Sequence, residues 1–105
     1  MTGIAVPEGT TKVKNKAQSR IKRPSMYKVI MLNDNYTTME FVVDILKKIF
    51  DKTAVEATEI MLTVHNDGKG IAGIYCYDIA ITKSTQVRNE AKKSGFPLKC
   101  IIEKE

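Results

Sequence analysis

Asn33, Asp34 and Asn35 stand in a row where an apolar run, "MYKVIML" at 26–32, gives way to a helix signal. Their carboxylate and amide oxygens accept hydrogen bonds, and grouped together they suit an ammonium ion through charge-assisted bonds. His65 is the only histidine. It falls in the last turn of a second predicted helix. If the two helices pack as a hairpin, the start of the first lies beside the end of the second, and His65 approaches the Asn-Asp-Asn run. Met39 and Val42 from one helix, with Met61 and Val64 from the other, would floor the space between. The result is an apolar pit with a hydrogen-bonding rim. That combination fits an apolar side chain carried next to an amine, as in the first residue of a peptide. Burying a Leu or Phe side chain there is worth roughly 1.5–3 kcal/mol.

Each element also has a plainer reading. Asn and Asp before a helix form Asx-turns. A histidine near a helix C-terminus favours the helix dipole. Methionines at helical spacing fill cores. A hydrolase with His65 as base and Asp34 as orienter lacks a nucleophile: Ser84 and Ser94 have no nucleophile context, and neither Cys76 nor Cys100 is near the cluster in sequence. One histidine and Asp34 are too few ligands for a metal. "GKGIAG", with glycines at 68, 70 and 73, lacks the order of a phosphate loop. The expectation is a protein that is not an enzyme and needs no cofactor.

The elements that must position these groups read as β-α-α-β-α-β. "MYKVIML" is rich in β-formers. Thr37 and Glu40 have capping-box spacing, and Val42, Ile45, Leu46 and Ile49 share a face, predicting a helix over about 38–51. Thr53 and Glu56 open a second helix, with Ala57, Ile60, Met61 and Val64 inward, which ends at "NDGKG", 66–70. "IAGIYCY" is a second strand. Asp78 is the expected cap of a third helix, with Ile79, Thr82, Val87 and Ala91 as a less distinct face and a stop near Gly95. "PLKCIIEK" is the last strand. Three strands in one antiparallel or mixed sheet, with the helices on one face, is the expected α/β architecture.

The chain has 105 residues, enough for one compact domain, and 43% of them are apolar. Its formal charge is +5, but the charge is not evenly spread. Residues 1–25 hold six of the 17 basic side chains (Lys12, Lys14, Lys16, Arg20, Lys22, Arg23) and one of the 12 acidic ones, Glu8. The remaining 11 bases and 11 acids cancel. The basic character thus belongs to an N-terminal extension, read as flexible, and 26–105 is the folded domain. This weakens a nucleic-acid reading of the folded surface, and no nucleic-acid or membrane partner is expected; such an extension steers encounters with acidic surfaces of any sort. No apolar run approaches the ~20 residues of a membrane helix, and the N-terminus lacks the apolar stretch of a secretory signal, so a cytoplasmic location is expected. Two cysteines set no disulfide framework and read as small buried thiols.

"PSMYKVIMLNDNYTTMEFVVDILKKIF", "ATEIMLTVHNDGKGIAGIY" and "GFPLKCIIEKE" closely resemble the ClpS family, adaptors of the bacterial Clp protease, over residues 24–105. The resemblance implies three antiparallel strands against three helices, similar to the C-terminal domain of the ribosomal stalk protein. It also implies a function: binding N-degrons, protein N-termini that begin with Leu, Phe, Tyr or Trp, and delivering them to the ClpA unfoldase that feeds ClpP. The adaptor itself breaks no bond and is expected to be a monomer. By the resemblance, Asn33, Asn35 and His65 hold the α-amine. Asp34, Thr37, Met39, Val42, Met61, Val64 and Leu98 form the side-chain pocket, with Met39 as a gate against β-branched first residues. Asp78, Thr82 and Lys83 face the unfoldase, whose pore the N-terminal extension would engage. Three positions depart from the family pattern. Asn35 replaces an acid, Thr38 a proline, and Ile81 an acid between the docking residues. A non-enzymatic interaction module of stalk-like fold, and nucleic-acid binding through the basic extension, stand as alternatives.

Overall fold

The computed structural model describes residues 24–105, so the expected extension lies outside the described residues except for Pro24 and Ser25. Six elements follow: β1 (Met26–Leu32), α1 (Met39–Lys48), α2 (Ala54–Asp67), β2 (Lys69–Cys76), α3 (Tyr77–Ser94) and β3 (Lys99–Lys104). This is the expected order. The sheet runs β2-β1-β3, with β1 in the centre and antiparallel to both neighbours. Val29 and Met31 point toward the helices and are fully buried, and Ile30 between them, on the other face, is only 4% exposed. Between Val29 and Ile30 the pairing skips Ala72, an irregularity of the bulge type in β2.

The helices bury different kinds of face. Val42, Ile45 and Leu46 of α1 and Ala57, Met61 and Val64 of α2 meet over the sheet, with Phe50 between them. On α3 the buried side chains are Ala80, Ser84, Val87 and Ala91. These are small, so α3 lies close against β1, β2 and β3, and the larger Ile79 and Thr82 that the sequence placed inward are exposed. Size, not hydropathy, selects that face.

Caps set the boundaries. Thr53 and Glu56 close the expected capping box in both directions, at 3.0 and 3.1 Å. The box expected on Thr37 and Glu40 does not form. Thr37 gives its hydroxyl to Asp34, so Thr38 becomes the cap and accepts from the Phe41 amide at 3.1 Å. The first helix ends earlier than its pattern suggests, because Asp51 turns left-handed (φ 55°) and Lys83 Nζ reaches across to donate to the Ile49 carbonyl at 2.6 Å. Asp78 does not cap α3: β2 runs directly into the helix, Cys76 takes the cap position without a side-chain bond, and Asp78 sits in the first turn. The stop at Gly95 is a Schellman motif. Gly95 (φ 78°) donates to Lys92 and Phe96 donates to Ala91, and the Phe96 ring then packs on Phe41 with centroids 4.8 Å apart. Both cysteines are free and only partly buried, although burial pushes the Cys100 thiol up to about 12, against a smaller opposing pull from Arg88.

Gly70 marks a close approach between α2 and β2. A Cβ there would lie 2.9 Å from Val64 Cγ2 and 3.4 Å from the Ile60 carbonyl, so α2 rests directly on the β2 backbone. Gly70→Ala should therefore cost about 1–3 kcal/mol by overpacking, read as a lowered urea midpoint at unchanged slope. An unchanged midpoint would mean that α2 yields at no cost.

Candidate functional site

β1 ends at Leu32, and the next amide, that of Asn33, donates to the carbonyl of Gly68 at 2.9 Å. Gly68 is the left-handed residue (φ 88°) that ends α2, and its own amide returns to the Val64 carbonyl. The end of α2 is thus tied to the end of β1. His65, one turn back from Gly68, is carried to the Asn-Asp-Asn run as the hairpin expectation required.

The run itself divides its work. Asp34 Oδ1 accepts from the Tyr36 amide at 2.8 Å and the Thr37 amide at 2.7 Å, while Oδ2 accepts from the Thr37 hydroxyl at 2.7 Å. Burial pushes its carboxyl up, but the bonds from Thr37 and Tyr36 outweigh this and hold it below the usual aspartate value. Asp34 is therefore an ionised turn-former, and its charge reaches the site from the side. Asn33, Asn35 and His65 are exposed, and their side chains make no hydrogen bond among the described residues. Among the described residues nothing claims their side-chain donors and acceptors.

Between them lies a cavity of about 230 Å³, lined by Asn33, Asp34, Asn35, Thr37, Met39, Val42, Met61, Val64 and His65. These are nine of the ten residues expected at the amine and side-chain subsites. Val42, Met61 and Val64 are buried and form the apolar part. Met39, the first residue of α1, is 45% exposed and stands at the mouth. The tenth, Leu98, is not part of this lining; it is buried in the core and borders a different hollow, between α3 and β3. The volume is below the several hundred Å³ of drug-sized pockets and suits one side chain. Among the described residues, no three His, Cys, Asp or Glu side chains gather where they could hold a metal ion.

The three residues expected at the docking surface lie apart from this cavity, in the first two turns of α3. Asp78 is exposed. The Thr82 hydroxyl donates to the Asp78 carbonyl at 2.9 Å. Lys83 is committed inward: besides its bond to Ile49, its ammonium lies over the rings of Tyr75 and Phe50, 5.2 and 5.9 Å from their centroids. Around them Tyr77, Ile79 and Ile81 are exposed. Sequence reasoning missed Gly68 and Gly70 as the residues that place the site. Their signal was the "NDGKG" stretch, which was read only as a helix end.

The family model for the ATP-dependent Clp protease adaptor protein ClpS matches residues 22–101. The chain belongs to the ClpS family of Clp protease adaptors. It is similar to the ClpS proteins of Rhodospirillum centenum, 51% identical over 91% of this chain and 89% of that one, and of Acetivibrio thermocellus, 53% identical over 90% and 96%. Its fold is similar to that of Agrobacterium tumefaciens ClpS2 bound to L-phenylalaninamide (TM-score 0.76, 38% identity, covering 79% of this chain and all of the other). No helix among the described residues is long and apolar enough to cross a membrane.

The Asp34 turn gives a prediction with a definite sign. Because the folded-state pKa is lowered, the carboxylate stabilises the fold above the unfolded value, near 3.9, and loses this as pH falls through the folded value. Asp34→Asn should cost about 1 kcal/mol at pH 7. The gap to the unaltered protein should narrow as pH is lowered from 6 to about 3. Parallel stability curves in urea titrations over that range would show that the three bonds contribute no differential ionisation.

Proposed function

We propose that this cavity binds the first residue of a protein substrate by both its side chain and its free α-amine. The residues so recognised are Leu, Phe, Tyr and Trp, and the adaptor delivers the bound protein to the ClpA unfoldase of the Clp protease. The observation that carries this reading is the lining of the cavity: an apolar floor of Val42, Met61 and Val64 beneath Asn33, Asn35 and His65, whose hydrogen-bonding groups have no partner among the described residues. L-Phenylalaninamide, the ligand of the Agrobacterium relative, has the matching parts: an aromatic side chain, a free amine and a following amide. The side chain contributes roughly 1.5–3 kcal/mol by burial. Bonds to the charged amine contribute about as much again.

Delivery requires a second surface. The first turns of α3 support one, since exposed Tyr77, Ile79 and Ile81 lie beside Asp78 there. Lys83 reads in this scheme as a residue that stiffens the docking helix by tying it to α1, and Ile81 exchanges the family's charge for apolar contact.

The cavity reading is tested with peptides differing only in the first residue, each with the amine free or acetylated. Acetylation should weaken binding of a Phe-initiated peptide by about ten- to a hundred-fold, the equivalent of one charge-assisted bond. Equal affinity for blocked and free forms would refute amine recognition. Asn35→Asp restores a carboxylate beside the ammonium and should tighten binding of the free form alone. Met39 tests the gate. A β-branched first residue places two heavy atoms on Cβ, close to the amine, on the side that Met39 lines. Met39→Ala should admit Ile- and Val-initiated peptides in a fluorescence titration. Continued exclusion would move selection to the floor of the cavity.

A further inference from the structure

A second and larger hollow, about 430 Å³, lies between the later turns of α3 and the chain that leads into β3. It shares no lining residue with the first cavity. Phe96, Leu98 and Cys100 give it an apolar wall, and the Cys100 thiol is neutral across the physiological range. Ser84 also lines it, is only 5% exposed, and makes no side-chain hydrogen bond among the described residues. Arg88, Lys92 and Lys99 stand around it, and no carboxylate belongs to the lining.

This hollow runs beside an open sheet edge. Among the described residues β3 pairs with β1 on one side and with no strand on the other, so alternate backbone groups of Lys99–Lys104 face outward unpaired by the described sheet. Two occupants are disfavoured by charge. A second copy pairing through β3 over its full length would set Lys99 against Lys104 when antiparallel, or lysine against lysine at both ends when parallel, and only a shifted, shorter pairing would bring Lys99 to Glu103. The chain's own residues 1–25 carry six basic side chains to one acidic, the same sign as the hollow. What remains complementary is an acidic strand.

We propose that the β3 edge and this hollow form a second docking site, taking an extended acidic segment of a partner protein. Its backbone would pair with β3, one apolar side chain would enter the hollow, and its carboxylates would meet Arg88, Lys92 and Lys99. The site does not depend on the amine-binding reading of the first cavity, and a partner held here leaves that cavity open.

The test uses the full chain and a peptide alternating Glu with Val, acetylated and amidated so that it presents no free amine. Followed by NMR amide spectra, the peptide should move the resonances of Lys99–Lys104 saturably, and less so at high salt. The counterpart alternating Lys with Val should leave them in place. Arg88→Glu combined with Lys92→Glu, both at exposed positions, should weaken the acidic peptide about ten-fold and leave phenylalaninamide binding to the first cavity unchanged. Equal shifts from both peptides, no shifts, or shifts confined to Asn33–Met39 and His65 would overturn the proposal. So would decanoate moving the β3 resonances where the acidic peptide does not, since the hollow would then be a site for small anionic amphiphiles.

Discussion

One backbone hydrogen bond, from the Asn33 amide to the Gly68 carbonyl, decides where the first cavity forms. It joins the last residue out of β1 to the last residue out of α2. Without it, the polar run and His65 would belong to two separate chain reversals. The bond is available only because Gly68 takes a left-handed conformation that turns the chain from helix to strand within one residue. Two residues on, Gly70 lets Val64 rest on β2, which sets the depth of the cavity floor relative to its rim. Site geometry is thus fixed by main chain and by missing side chains, while the groups that would touch a ligand do little to hold it.

That separation has an energetic logic. A side chain that completes its hydrogen bonds inside the protein has nothing left for a ligand, and one that keeps them open is held by no partner. Asp34 takes the first role: three bonds to the next turn lower its pKa and fix the start of α1, bringing Met39 to the mouth. Asn33, Asn35 and His65 take the second. Asn35 is neutral, so the one carboxylate in the cavity lining is that of Asp34, already engaged in the turn. An ammonium in the cavity would feel that charge through space while bonding to amide oxygens, a weaker field than a second carboxylate would give.

Much of this was legible in the sequence. Two helices in succession after a strand, with His65 at the end of the second, were enough to bring the histidine to the Asn-Asp-Asn run, because a short connection leaves the helices antiparallel. The capping box at Thr53 and the stop at Gly95 were read from residue type because caps are local chemistry. The misreadings share a cause: competition between neighbours. Thr37 had the right spacing for a cap, but Asp34 claimed its hydroxyl first and the cap moved to Thr38. The inner face of α3 was half misassigned: Val87 and Ala91 are buried as expected, but hydropathy favoured Ile79 and Thr82 where the sheet beneath required Ala80 and Ser84. The nine cavity residues other than Leu98 cluster as expected. Leu98 was placed by resemblance alone, and its position three residues past a Schellman turn gave no local signal of which hollow it would border.

The exposed isoleucines of α3 follow from that same misassigned face. A helix that must lie close to a sheet uses small residues inward, so its larger apolar residues have nowhere to go but out. Tyr77, Ile79 and Ile81 then concentrate apolar surface at the end of α3 where Lys83 anchors the helix to the C-terminus of α1. α1 begins at Met39, on the cavity mouth, and ends at the carbonyl shell that Lys83 caps. One ten-residue helix therefore spans the distance from the ligand-facing mouth to the base of the apolar surface on α3. A load applied at one is carried to the other along a rigid rod, without passing through a loop. For the two contacts proposed above, at the cavity and on α3, this arrangement keeps them in fixed relation and requires no change of shape between them.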